Sequence, residues 1–374
     1  MDLINDKSNH PYTLLQQTFD LFPISTNQDL SKTYIFACQH ILEPQGKMFS
    51  MFVDFGVPQE NIFVLGKIYS TSNAQLRELQ ENGFQVQQPA FDSSKSFDEQ
   101  HKDNCEALFR IFKKTVSGRS RVVVLDDGSG LLSVFNKNFE SISKDIEIVG
   151  VEQTSSGFRK LESEILNFPI INVARSAIKL NKESQFIAES CFEKIDSYIK
   201  DNNLSQNRFL IIGLGPIGQA FVDLLQKRNE EVFGFDTALG HENLIEKIKE
   251  LKPNIIIGAT GVTVISNEDV EILNSLGHKI HLMSVSSSDR EFPVSNYRKE
   301  NELDIHSDIV FKNVVFLNNG FPINFKGNRY EGAVAGIERT ISMLLGSVLY
   351  LTKADIAKLP KNFIDVPELV TNIL

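Results

Sequence analysis

Between Arg208 and Asp236 the chain reads RFLIIGLGPIGQAFVDLLQKRNEEVFGFD. An apolar run leads into a G-x-G-x-x-G turn at Gly213, Gly215 and Gly218, then a helical pattern, then a second apolar run ending in an acid. That order leaves little freedom: strand, tight turn, helix and parallel strand, the opening unit of a dinucleotide-binding sheet. Gly213 is expected to make the turn. Gly215 is expected to let backbone approach a pyrophosphate past Pro216 and Ile217, and Gly218 to let helix and strand pack closely. The helix N-terminus offers amide donors and the positive end of its dipole to the phosphates. Asp236 falls about twenty residues on, where a carboxylate bonds a free ribose 2′-hydroxyl and repels a 2′-phosphate. The expected cofactor is therefore NAD; a glycine-rich turn without a ligand is the alternative. Later, IIIGATG (255–261) places a small-residue loop after another strand. Thr260 and Gly261 are expected there beside the cofactor, an ordinary strand-to-helix turn being the other reading.

The rest of the chain alternates in the same way. Apolar runs at Tyr34–His40, 61–71, 121–128, 146–157 and 168–179 are separated by helical patterns, and runs at 253–261, 279–289 and 314–325 follow the glycine loop. Such alternation predicts an open parallel α/β sheet. At about 150 residues per domain, 374 residues suggest two domains, with three as the alternative. Ligands collect at the carboxyl ends of parallel strands. Polar clusters fall where those ends are expected: Asp126-Asp127, Glu152–Ser156, Thr260-Gly261, Ser286–Asp289 and Asn318-Asn319.

A net charge of −10 with the two signs interspersed disfavours nonspecific nucleic-acid binding. The longest apolar stretch, Ile341–Leu351, is too short to span a bilayer. Three scattered cysteines and a polar, acidic N-terminus fit a reducing, cytoplasmic setting and argue against a disulfide framework or a zinc site. His241, His278, His281 and His306 show no metal-ligand spacing. The cysteines read as small buried hydrophobes.

Two groups outside the glycine loop could carry chemistry. Asp126 and Asp127 end a buried strand, where paired carboxylates can orient a ligand hydroxyl or a catalytic base; a helix cap with a salt bridge is the alternative. Lys179 precedes Glu183 by four residues. A desolvated lysine beside an alcohol can take its proton as hydride leaves, although in isolation the pair reads first as a surface ion pair.

Taken together, VVVLDDGSGLL, IVGVEQTSSGFRKLE, FPIINVARSAIKLNKESQF, FLIIGLGPIGQAF and IIIGATG resemble, in order and spacing over about 120–290, the S-adenosylhomocysteine hydrolase family. The likeness continues weakly through ACQH, IYSTSNAQL and VVFLNNG. The resemblance implies tightly held NAD, oxidation of a 3′-hydroxyl, elimination of a thiol, addition of water and return of the hydride. It implies Lys179 as the catalytic lysine, with Glu183 for the family's aspartate. Asp127 stands for the acidic residue of the DDG motif, and His40 for the histidine serving elimination. Thr154, Ser155 and Ser156 take the place of a threonine run facing NAD, and Asn318 that of the asparagine on the nicotinamide amide.

The chain also departs from that family. Ser287 replaces a second catalytic histidine, Leu42 and Pro44 replace two adenine-reading residues, and Gln153 replaces a glutamate. STSN stands for STQD, FPINFKG stands where the family has its gate, and the long C-terminal tail has no counterpart. The expected changes fall on base recognition and elimination rather than on hydride transfer. A polar site that loses its partners loses affinity for the base they read.

The expectation is thus a substrate domain (1–188), a Rossmann-type NAD domain (189–325) and a C-terminal segment (326–374) returning to the first. The expected activity is NAD-dependent oxidation of a secondary alcohol on a nucleoside-like or other polar small molecule, with a homodimer possible through the C-terminal helix. A divergent true S-adenosylhomocysteine hydrolase and a non-catalytic NAD-holding sensor or partner protein are the alternatives.

Overall fold

The computed structural model describes residues 12–24, 29–286, 288–299, 304–325 and 334–374. Ser287 and the end of FPINFKG lie outside these residues.

Two sheets organise the chain. The first comprises β1 (Thr33–Ile41), β2 (Ile62–Thr71), β3 (Gln85–Gln87), β4 (Ser120–Asp126), β5 (Ile146–Glu152) and β6 (Ile170–Asn172). The second comprises β7 (Arg208–Ile212), β8 (Glu231–Phe235), β9 (Ile255–Gly258), β10 (Ile280–Ser284), β11 (Ile309–Phe311) and β12 (Val314–Phe316). A short β13 (Phe363–Ile364) returns to the first sheet beside β6. The order in the first sheet is β13-β6-β5-β4-β1-β2-β3, with every pairing parallel. The second runs β11-β12-β10-β9-β7-β8 and is parallel except for β11 at its edge.

The central strands are apolar on both faces because both faces are covered. In β1, Ile35 and Ala37 join a core with the helices Glu43–Asp54 and Val334–Lys353, whereas Phe36 and Cys38 face Phe97–Thr115 and Gly130–Lys137. The second sheet repeats this: Phe209 and Ile211 pack on the helix Ala177–Asp201, and Leu210 and Ile212 on the other side. The long helix Ala177–Asp201 spans the expected boundary at 188/189. Its later turns, with Ala188, Cys191, Phe192 and Ile195, belong to the core of the second sheet. The helix Val334–Lys353 is buried against the first sheet through Ile341, Leu344, Leu345 and Val348.

Helical spacing of the sequence predicts a helix over 105–116; the helix starts eight residues earlier, at Phe97. Ser96 and Glu99 form a reciprocal capping box there, which satisfies two otherwise orphaned amides. The earlier start matters for the lobe contact. Phe97 joins Ile68, Tyr69 and Phe321 in an aromatic cluster between the sheets. The Phe97 amide donates to Asp289 at 3.2 Å, and Arg298 of the second lobe donates to Asp289 at 2.6 Å and to the Lys95 carbonyl at 2.8 Å.

Candidate active site at two strand crossovers

Each sheet reverses its direction of growth once. The first grows from β1 outward through β2 and β3, then restarts at β4 on the other side; the second restarts between β7 and β9. Loops diverge at such a point and leave a crevice at the carboxyl ends of the strands.

At the β7/β9 crossover the backbone forms a cradle. Gly213 has φ +93°, and a Cβ there would meet Thr260 Cγ2 at 2.6 Å. A Cβ on Gly218 would sit 1.8 Å from the Gly213 carbonyl oxygen. At Gly215, by contrast, nothing among the described residues comes within 4 Å of a built Cβ. Gly215 and Pro216 are exposed and Ile217 half-buried, at the start of the helix Pro216–Lys227. Turn, open approach and close packing thus fall on the three glycines expected to supply them. Asp236 directly follows β8 and accepts from the Leu214 amide at 2.7 Å and the Ala238 amide at 2.8 Å. These contacts tie the acid to the glycine loop, and its half-buried carboxylate has further lone pairs. The cradle fits a dinucleotide pyrophosphate.

Sequence reasoning missed what holds the facing loop. Glu291 is fully buried and accepts from the Thr260 amide at 2.6 Å, the Gly261 amide at 3.2 Å and the Ser284 hydroxyl at 2.6 Å. Gly261 itself has φ +72°. Nothing in the local pattern around Glu291 signals this role. Asn318 is also fully buried, and its side chain is engaged within the lobe. Its amide donates to Pro322 O at 2.9 Å, and its oxygen meets His306 Nδ1 at 2.8 Å.

The β1/β4 crossover is built from charge. His40 on β1, Lys67 on β2 and Asp127 after β4 converge, each less than a tenth exposed. His40 Nε2 lies 3.3 Å from Asp127, and its Nδ1 meets the Ser70 hydroxyl. Lys67 Nζ donates to the other Asp127 oxygen. Lys67 went unread although it has a signal: one charge inside an otherwise apolar strand, where lysine is buried only when paired. Burial is the largest single influence and works to lower the Lys67 pKa, but the Asp127 charge and hydrogen bond, with Tyr69 and Cys38, together outweigh it and hold the ammonium above its ordinary value. Burial raises Asp127, yet Lys67 and His40 together hold it well below the usual carboxylate range. His40 is lowered, because its burial exceeds the pull of Asp127. The three therefore stand as ammonium, carboxylate and neutral imidazole at neutral pH. Such a ring donates from Nε2 to Asp127 and accepts the Ser70 proton at Nδ1.

Around this trio sit the remaining expected residues. Lys179, in the first turn of the helix Ala177–Asp201, donates to the Gln153 carbonyl at 2.5 Å and pairs with Glu183 at 3.4 Å. Both side chains are under a fifth exposed, so the pair is not a solvated surface bridge. Its charge is felt at His40. The Thr154 hydroxyl caps the helix Ser155–Leu161 through the Gly157 amide at 3.0 Å and donates to Glu152 at 2.7 Å. Ser155 and Ser156 follow it, half-buried. Glu152 is fully buried and also accepts from Gly128 N and Ser129 Oγ, binding the β4 and β5 loops together much as Glu291 does in the other sheet. Phe325 reaches from the second lobe to stack on His40, ring centroids 4.8 Å apart. Buried amide atoms of Gln39, Gln45 and Gln153 have no partner among the described residues. Leaving such groups unmatched costs about 1–3 kcal/mol each, so each favours a polar partner. A shallow hollow of about 640 Å³ lined by Asp29, Lys32, Arg119, Arg121 and Lys353 lies at the opposite, amino ends of these strands.

No family model matches the chain. It is 33% identical over 346 residues to the uncharacterized proteins Rv0104 and MT0113 of two Mycobacterium tuberculosis strains. The match takes in 88% of this chain and 66% of theirs, so the chain spans just under two-thirds of the length of these curated relatives. Among solved structures, it is similar to an NAD+-bound 3-phosphoglycerate dehydrogenase of Entamoeba histolytica (11% identity, TM-score 0.39, 89% of this chain and 100% of that one). It is also similar to a 2-hydroxyacid dehydrogenase of Ketogulonicigenium vulgare Y25 (11% identity, TM-score 0.38, 88% and 97%).

Proposed function

We propose that this chain is an NAD-dependent enzyme that oxidises a secondary alcohol of a polar small molecule, in the manner of the S-adenosylhomocysteine hydrolase family it resembles but with altered substrate specificity. The observation that carries this reading is the pairing of two unlike crossovers: a glycine cradle with an acid at its rim, and a buried cluster of proton-handling groups. In this reading Gly213, Gly215, Gly218 and Asp236 hold the dinucleotide, with Thr260 and Gly261 opposite. NAD, when bound, supplies the hydride acceptor.

The chain's own residues handle the proton. Lys179 is held between Glu183 and the Gln153 carbonyl; its ammonium gives a proton to the Glu183 carboxylate, and the resulting neutral amine receives the alcohol proton as hydride leaves. Passing that charge onward lets it act as a base again. Asp127, anchored by Lys67, fixes the imidazole of His40, so that a proton accepted by the ring is stabilised by the adjacent carboxylate. Phe325 and the aromatic lobe contact keep water from this end of the crevice. The unmatched amides of Gln39, Gln45 and Gln153 favour a substrate rich in hydroxyl or amide groups, and Leu42 and Pro44 disfavour adenine as its base.

The test begins by denaturing purified protein and assaying the supernatant for NAD and NADH by mass spectrometry. Near-stoichiometric cofactor is expected, followed by reduction of bound NAD by members of a panel of nucleosides and polyols. Loss of that reduction in Lys179→Ala, with cofactor retained, supports the assigned role. Protein that is isolated empty and binds no added NAD overturns the reading.

One observation favours a non-catalytic NAD holder: both His40 ring nitrogens are engaged within the protein. Sustained hydride transfer abolished by Lys179→Ala excludes that reading.

A further inference from the structure

Two of the cysteines that the sequence reads as small buried hydrophobes lie behind this cluster together with His101. Cys38 on β1 and His101 and Cys105 on the helix Phe97–Thr115 converge in the core, all buried. Their Sγ and Nε2 atoms lie within 4.8 Å of one another. His101 Nε2 is 3.7 Å from Cys38 Sγ and 3.6 Å from Cys105 Sγ. We propose that Cys38, His101 and Cys105 form a binding site for a thiophilic divalent cation of the zinc class.

Three observations carry this beyond ordinary core packing. The first is the spacing. Tetrahedral zinc, with metal–sulfur bonds of about 2.3 Å and metal–nitrogen bonds of about 2.0–2.1 Å, sets sulfur and nitrogen about 3.6 Å apart. Both observed sulfur–nitrogen distances match that edge. The second is a candidate for a fourth ligand. Asp126 is the register partner of Cys38 across β1 and β4, so the two side chains leave the sheet on the same face. One Asp126 oxygen accepts the Leu132 amide at 2.8 Å; the other is buried and has no partner among the described residues. The third is close approach. A Cβ on Gly130 would lie 2.8 Å from His101 Nε2 and 3.0 Å from Cys105 Sγ, so only glycine lets the backbone after β4 pack against these two donors without displacing them.

The sequence hides the site because Cys38 is remote from the other two. His101 and Cys105 are one helical turn apart and present one face, while Cys38 arrives through the β1–helix packing. Two sulfurs and an imidazole suit zinc or cobalt over magnesium or calcium. A closed, buried donor set marks a structural ion rather than a catalytic one. Its place is two residues from His40 and at the helix whose first residue, Phe97, enters the lobe contact. A bound cation would therefore brace the charged crossover from behind.

The test uses the full chain, reduced with a phosphine that does not bind metal, stripped with chelator and titrated with Co2+. The expected result is one equivalent bound, with intense visible bands of tetrahedral cobalt, sulfur-to-metal charge transfer, and loss of both on adding Zn2+. X-ray absorption of the zinc form should show two sulfurs and lighter ligands in the first shell. Cys105→Ser and His101→Ala should each weaken binding at least tenfold, while Cys191→Ser, whose thiol lies in the other lobe's core, should bind as wild type. Wild-type protein that is folded by circular dichroism and develops no cobalt–sulfur band overturns the proposal without recourse to any variant. So does binding that survives Cys105→Ser undiminished. A Cys38–Cys105 disulfide, seen as a loss of two hydrogens by intact mass, in protein that binds no cation after reduction would instead assign the pair to thiol chemistry.

Discussion

In the first lobe the crossover between β1 and β4 closes over Lys67, Asp127 and His40; in the second the crossover between β7 and β9 closes with glycines and backbone amides. Both use a buried glutamate, Glu152 or Glu291, to tie adjacent loops together. The difference lies in what faces the crevice. Charges in the first lobe are desolvated and depend on one another, so removing one leaves its partners stranded. The donors of the second belong to the chain itself, and what matters there is how closely atoms can approach. One crossover should therefore respond to charge deletion and pH, and the other to added volume.

The largest effect should come from Lys67→Met. Stranding Asp127 without its ammonium should cost about 3–5 kcal/mol, read by urea denaturation. A loss below 1 kcal/mol would show that the buried pair is not what holds this crossover. Gly218→Ala is the counterpart in the second lobe. Its methyl group meets a backbone oxygen, so helix or turn must shift, at a cost of about 1–3 kcal/mol, with NAD binding weakened at least tenfold by calorimetry.

The pH response sharpens the contrast. His40 is lowered in the folded state, chiefly by burial, so below its ordinary 6.5 the unfolded chain takes the proton first and stability falls with pH. Asp127 adds to the loss below the usual carboxylate range, where the unfolded acid protonates while the folded one stays charged. Lys67, raised in the fold, contributes below its ordinary 10.5 and is lost only as alkaline pH passes the folded value. Asp126 and Glu152, both raised chiefly by burial, work the opposite way at acid pH. The clean readout is thus wild type minus His40→Gln. Below pH 6.5 their difference in stability should acquire a slope of up to about 1.4 kcal/mol per pH unit, one proton's worth. A flat difference would mean that His40 titrates alike in both states.

Gly215→Ala should leave stability within about 0.5 kcal/mol, since its Cβ meets nothing among the described residues, yet weaken NAD binding measurably by calorimetry. Unchanged NAD affinity would dissociate the cradle from the cofactor. Smallest of all, Asp98→Asn removes a lobe-to-lobe bridge to Arg290 with the acid 43% exposed. Screened pairs of this kind contribute about 0–1 kcal/mol, and thermal unfolding should shift little.

Local pattern made some of this legible and hid the rest. The glycine loop could be read because its three positions and its acid lie within one strand-turn-helix-strand unit, where spacing alone sets geometry. The parallel sheets could be read because strands covered on both faces must be apolar throughout. Asp127 was visible as one of two acids ending such a strand and, with His40, through the family resemblance, whereas Lys67 was passed over as part of a strand. Their meeting depends on strand order. β4 lies beside β1 rather than beside β3, and that neighbour relation is settled by long-range packing of helices on both faces of the sheet. The same holds for Glu291, fixed by a loop returning beneath β9, and for Cys38 beside His101 and Cys105, 63 and 67 positions away. The sequence by itself determined the periodic elements and the cradle at Gly213–Gly218, whose contacts are short in the chain. Only the tertiary structure decided which buried charges and thiols stand together, because those contacts arise from the register of parallel strands and the closing of the lobes.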